Sequence, residues 1–193
     1  MKYHVLPIIQ PSDLAGQQNG KLDERLLRKL HGTKGALHHK AATAFNCLQL
    51  NAYFNGIDLQ STSTADTYRA YQRQESGFLQ RYSTSWSKRI PPVARRWNGK
   101  TYWLKKGRAP MATPGTSNHG WGLAIDIAGA SGSRLAWMLG KGWWDSPVLQ
   151  YGFSWEVASG RNAESWHIRY VCGDNYPPAV LEALKAFPEL EAK

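Results

Sequence analysis

Two short stretches hold the residues best able to do chemistry. In Ser117-Asn118-His119-Gly120-Trp121-Gly122-Leu123-Ala124-Ile125-Asp126, a His ends a Gly-rich loop and an Asp follows inside an apolar run. In Glu164-Ser165-Trp166-His167-Ile168-Arg169-Tyr170, a Glu precedes a His that opens a second apolar run. A carboxylate such as Asp126 is costly to bury unless it is paired or metal-bound. Taken alone, each residue has a plainer reading: an Asp bonded to a turn, a surface Glu, a satisfied core His. Taken together, two imidazoles and one carboxylate make a donor set that suits zinc and leaves a fourth position for water. Glu164 is then the spare carboxylate, a general base for a water whose pKa such an ion lowers to about 7. This is the chemistry of amide hydrolysis, which also needs a cation for the developing oxyanion or for a substrate carboxylate.

The elements that must position these residues are legible from periodicity and breakers. Residues 8–20 read as an irregular arm, and Asp23 to Leu30 as a short helix. Ala41, Phe45, Leu48 and Ala52 recur at helical spacing, which predicts a helix from His38 to Asn55 stopped by Gly56. Residues 57–63 alternate and read as a strand, feeding a helix from Asp66 to Tyr82. Residues 84–112 form an inserted excursion in which Asn98-Gly99 signals a two-residue hairpin. After a loop at 113–118, strands are expected at Gly122–Ala128, Phe153–Val157 and Trp166–Val171. Helices are expected at Ser131–Gly140, Pro147–Tyr151 and, started by Pro178, Ala179–Phe187. Strands and helices without regular βαβ alternation make an α+β domain. The expected form is a small, mostly antiparallel sheet with helices packed on one side. The site should lie in a groove on the open face of the sheet, bordered by the 84–112 insertion.

The pattern Ser117-x-His119-x-x-Gly122-x-Ala124-x-Asp126, followed by Glu164-x-Trp166-His167, resembles the zinc peptidase family of VanY-type D-alanyl-D-alanine carboxypeptidases. That group also includes phage L-alanyl-D-glutamate endolysins and shares a hedgehog-like metal site. The resemblance runs from about residue 37 to residue 172, and leaves residues 1–36 as an N-terminal arm with a short helix. It implies that His119, Asp126 and His167 hold one Zn2+ per chain and that Glu164 is the base. Thr67-Tyr68-Arg69-Ala70-Tyr71-Gln72-Arg73-Gln74 resembles the family's Tyr-Arg-Ser-x-x-x-Gln, with Ala70 in place of Ser. Arg69 and Gln74 are thereby implied to bind substrate. An Arg fork suits planar anions. Ser117 is implied as a substrate-binding or loop-ordering hydroxyl. The implied substrate is the peptidoglycan stem peptide. The stretch from Ala112 to Gly122 is similar to versions in phages of actinobacteria, where such domains serve as lysins or as tail-tip proteins. Other phage tail proteins are then expected partners, and delivery in a virion or through a lysis system the expected route to the cell wall.

Composition bounds these readings. The chain has 193 residues, 24 Lys+Arg against 14 Asp+Glu, and a net charge of +10, which favours an anionic partner. No apolar run of about 18 residues predicts a membrane span, and no h-region predicts a signal peptide. A nucleic-acid reading rests on charge alone, without a dense Lys/Arg run, so neither nucleic acid nor membrane insertion is expected. The alternative from another class is a zinc-containing structural or wall-binding module without turnover, against which Glu164 argues, because a structural site needs no base. Cys47 and Cys172 are expected as buried free thiols. Trp143-Trp144 are expected in the core, with Asp145 capping the next helix. His38-His39 are expected to face solvent, because neighbours on a helix do not converge. His4 and His31 carry no partner pattern. Arg89, Arg95, Arg96, Lys100, Lys105, Lys106 and Arg108 read either as a solvated face or as a substrate-facing edge.

Overall fold

A computed structural model describes residues 2–86, 88 and 90–191. Its regular elements are β1 (Leu27–Lys29), β2 (Ala36–His38), α1 (His39–Phe54), α2 (Tyr71–Arg81), β3 (Tyr82–Ser83), β4 (Ala94–Trp97) and β5 (Lys100–Leu104). They continue as β6 (Ala124–Asp126), α3 (Gly132–Leu139), α4 (Pro147–Gln150), β7 (Phe153–Trp155), β8 (His167–Tyr170) and α5 (Pro178–Ala186). The α+β class is as expected, but the strands divide into three small antiparallel sheets: β1-β2, β3-β5-β4 and β6-β8-β7.

The central sheet packs on α1, whose stripe of Ala41, Phe45, Leu48 and Ala52 is fully buried. Phe45 meets Phe153 of β7 edge to face, and Phe153 in turn meets Tyr170 of β8. The β3-β5-β4 sheet has its own small core of Phe78, Tyr82 and Leu104. Its hairpin turns through Asn98 (φ 48) and Gly99 (φ 73), the two positive values a type I′ turn requires. Lys105 Nζ donates to Leu79 O and Gln80 O, so the hairpin holds the C-terminal end of α2, where a cation is favoured.

Three expected elements differ, each because tertiary hydrogen bonds replace local ones. The helix expected at Asp23–Leu30 is a single 3-10 turn followed by β1, which pairs with β2. The strand expected at 57–63 reduces to one bridge, Ser61 with Ile127, along the edge of β6. The helix expected from Asp66 starts only at Tyr71. Before it, Tyr68 N donates to Ala36 O, Arg69 N to His119 O and Tyr71 N to Gly20 O, which holds this segment extended.

The N-terminal arm is part of the same body. Val5 and Ile9 bridge to Trp155 and Cys172, and Leu14 and Leu22 enter the main core. Cys47 and Cys172 are unpaired, and Cys172 is only half-buried. Burial pushes the Cys47 thiol up to about 12, where it is unreactive. Trp143 and Trp144 are exposed rather than core, Trp144 at 83%. The cap of α4 is Ser146, whose Oγ accepts from Leu149 N, while Asp145 accepts instead from Lys141 N. Of the basic set around the hairpin, Arg89 lies outside the described residues. Arg95, Arg96, Lys100 and Lys106 are exposed.

Candidate metal centre

Register brings the first two candidate ligands together. Asp126 and His167 are direct partners across β6 and β8, so their side chains leave the sheet on one face. His167 Nδ1 lies 2.8 Å from Asp126 Oδ1. The third candidate arrives from the 3-10 turn Asn118–Trp121, with His119 Nε2 3.4 Å from the same oxygen. One donor atom from each residue fits within 4.8 Å of the other two. Metal–ligand bonds are about 2 Å, so a single ion can reach all three atoms.

The loop carrying His119 is held by the arm. Asn19 Nδ2 donates to Ser117 O, Gly20 N donates to Gly120 O, and Gly122 O accepts from His38 N. These contacts explain two glycines. A Cβ on Gly120 would overlap Asn19 Oδ1, and one on Gly122 would sit 2.7 Å from His38 N. Gly122 also turns through φ 65, which glycine adopts without steric cost.

The ring partners decide what faces the centre. His119 Nδ1 lies 2.9 Å from Thr67 O, an acceptor only, so Nδ1 carries the proton and Nε2 presents its lone pair to the centre. On His167 the order is reversed. Nδ1 faces Asp126, and the buried Nε2 lies 3.2 Å from Glu156 Oε2, near enough for ionic contact but outside hydrogen-bond alignment. Carboxylates and backbone carbonyls on the outer nitrogen are the usual way a ligating imidazole is fixed. The residues present therefore fit a metal ion bound by two His and one Asp.

Electrostatics agree. Burial alone would push the Asp126 carboxyl up, but the His119 and His167 rings hold it well below the usual carboxylate range. Burial would likewise lower His167, yet Asp126 and Glu156 hold it up at about 9. A site with this much negative potential draws cations. The Glu156 carboxyl is lowered, chiefly by His167. Glu164 reaches the groove and is accessible from it. The protein around it still removes enough water to push its carboxyl up, with Asp126 and Glu156 adding to the rise and His167 opposing it.

All these groups line one open groove of about 610 Å³, with the 109–112 stretch after the hairpin as one border, as expected. Ser117 and Arg69 also line it. Arg69 is anchored: Nε donates to Ala65 O at 2.8 Å and Nη2 to Asp66 Oδ1 at 3.0 Å. Gln74, expected to bind substrate, does not face the groove. It is 1% exposed, its Nε2 bonds Asn19 Oδ1 and Arg69 O, and its Oε1 accepts from Gly115 N. Its place is to tie arm, helix and loop together.

Sequence reasoning passed over Glu156 and Asn19, because neither stands in a recognisable pattern. It also misplaced His38-His39. His38 is fully buried and both rings meet Asp13, at 2.9 Å to Oδ1 and 2.6 Å to Oδ2. His38 is the N-cap of α1, not a residue of its face, so the two side chains converge.

The fold is an α+β domain whose groove brings a His/Asp/His donor set and a further carboxylate together. The sequence profile of the VanY family, D-alanyl-D-alanine carboxypeptidase, matches residues 34–173, and the chain belongs to this family. Among solved structures, the LdcB LD-carboxypeptidase, described for its peptidoglycan recognition, is similar at 20% identity. That match covers 86% of this chain and 85% of the other, at a TM-score of 0.44. No curated protein matches the chain. Among the described residues no helix is long and apolar enough to cross a membrane.

Proposed function

We propose that this protein is a zinc-dependent peptidase that cleaves the stem peptides of peptidoglycan, with His119, Asp126 and His167 as the ligands of one ion. The observation that carries this reading is the convergence of three donor atoms beside Glu164, with both outer ring nitrogens already facing acceptors. A bound zinc ion would supply Lewis-acid polarisation of a carbonyl and lower the pKa of water to about 7.

The chain's own residues do the rest. Glu164 takes a proton from the attacking water and later gives it to the leaving amine, and its raised pKa suits both steps. Thr67 O fixes the His119 ring, and Glu156 places its negative charge 3.2 Å behind the His167 ring. Arg69, held by Asp66 and Ala65, keeps one edge of its guanidinium for a substrate carboxylate or carbonyl. Ser117 offers a hydroxyl on the same wall.

A free, lifted Glu164 in the groove favours this reading over a zinc module without turnover, which has no use for a base. The Ala112–Gly122 resemblance supports a phage setting, as lysin or tail-tip protein, to be checked by mass spectrometry of purified virions. The deciding experiment is digestion of defined muropeptides with mass analysis of the products, with and without a chelator. Chelator-sensitive release of terminal D-alanine or cleavage within the stem supports the proposal. Inert muropeptides at full metal loading overturn it.

A further inference from the structure

The groove has a charge gradient that the metal centre does not use. Its acids gather at one end, where Asp126, Glu156 and Glu164 surround the two imidazoles. The fourth acid, Asp66, is taken up by Arg69 and by Ser63 Oγ. The other wall is the face of α2, where Arg73, Gly77 and Arg81 stand at i, i+4 and i+8 and all line the groove. Among the described residues neither Arg73 nor Arg81 makes a side-chain hydrogen bond or an ion pair. The anchored Arg69 is therefore not the groove's main free cation.

Spacing adds a second constraint. Eight helical residues advance about 12 Å. Between the two arginines Gly77 carries no side chain, and the methyl end of Met111 packs over it, 3.4 Å from where a Cβ would stand. The two arginines thus stand on either side of the Gly77–Met111 contact, in the groove that also holds His119, Asp126 and His167. An extended peptide covers about 12 Å in three to four residues.

We propose that Arg73 and Arg81 form an anion-reading subsite that selects acidic peptides, those with free carboxylates about three residues apart beyond the end being cut. This deepens the peptidase reading and rests on it for the identity of the cut end. The selection itself is a binding property and needs no metal. It separates peptides with free side-chain carboxylates from the same peptides amidated, because a guanidinium fork donates two parallel bonds to a carboxylate, whereas an amide offers only one accepting oxygen.

The test uses the full chain in chelator. Binding is read by isothermal titration calorimetry for two synthetic peptides, Ac-Glu-Ala-Ala-Glu-D-Ala-D-Ala and its twin with Gln at both acidic positions. Wild type should prefer the acidic peptide about tenfold, with the preference shrinking as salt rises. Arg73→Gln and Arg81→Gln should each cut the preference to about threefold, and the double variant should abolish it. Arg73→Lys should fall between wild type and Arg73→Gln. No preference in wild type, or a preference that survives in the double variant, overturns the subsite. Turnover of muropeptides is read separately on metal-loaded protein. Selective binding without turnover would refute the peptidase reading and leave the subsite standing, and turnover without selectivity would do the reverse.

Discussion

Among the described residues, the molecule holds the same trio, two His and one Asp, twice. His119, Asp126 and His167 form one cluster; His38, His39 and Asp13 form the other. What separates them is the outer nitrogen of each ring. In the first, Thr67 O and Glu156 face the outer nitrogens, and both inner nitrogens converge on the single oxygen Asp126 Oδ1. In the second, His38 Nδ1 accepts from Lys40 N at the start of α1, so the proton sits on Nε2 and is given to Asp13. His38 and His39 meet different oxygens of Asp13, so their rings do not converge on one atom. The first cluster also opens onto a groove with a spare base, whereas the second joins the arm to α1. A donor set by composition is therefore not a metal site. The hydrogen bonds behind it decide.

The contrast is broken most severely by removing ligands. His119→Ala, Asp126→Ala and His167→Ala should each lose bound metal and reduce turnover to the chelated background, while His39→Ala keeps both. Elemental analysis beside a muropeptide assay reads the difference. Glu164→Gln should keep its metal and lose about 10²–10⁴-fold in rate. Near-normal turnover of that variant would remove Glu164 from the mechanism.

A subtler change tests the outer contacts. Glu156→Gln should weaken metal affinity by about 10–100-fold, the usual effect of losing a carboxylate behind a ligating His, as measured by competition with a chromophoric chelator. The smallest effect belongs to the clamp. Asp13→Asn should cost about 1–3 kcal/mol in urea unfolding and leave metal content unchanged.

The clamp also has a pH signature. Burial holds the His38 pKa below 6.5 in the fold, against the pull of Asp13. The unfolded chain then binds more protons as pH falls through 6.5, so stability drops on the acid side of that value. Asp13 adds a second loss below 3.8. Burial would raise its pKa, but His39 and His38 hold it lower. Between pH 7.5 and 5.5 the urea midpoint of wild type should fall relative to that of His38→Gln, a difference in which the opposite contribution of His167, held up at about 9 in both, cancels.

The sequence was most legible where chemistry and local structure coincide. Asp126 and His167 stand in strand-like apolar runs, and pairing those runs in register suffices to bring them together. The α1 stripe and the Asn98-Gly99 hairpin are local signals, and both are present in the structure. What stayed hidden depends on distant backbone partners. Arg69 sits in an extended segment, not on a helix, because its N–H is claimed by His119 O. Gln74 stands in the family's pattern, yet its amide is consumed by Asn19, Arg69 and Gly115, a network no spacing reveals. His38 is an unusual N-cap, and only the position of Asp13, 25 residues upstream, explains its burial.

The central claim is that one ion, held by His119, Asp126 and His167, makes this groove a peptidase. Its most direct test is a zinc titration of chelator-stripped protein, following bound metal and muropeptide cleavage together. Activity should appear in proportion to zinc, saturate at one equivalent and be absent in His167→Ala at any added zinc. Full cleavage by stripped protein, or activity that follows zinc unchanged in His167→Ala, would contradict the account.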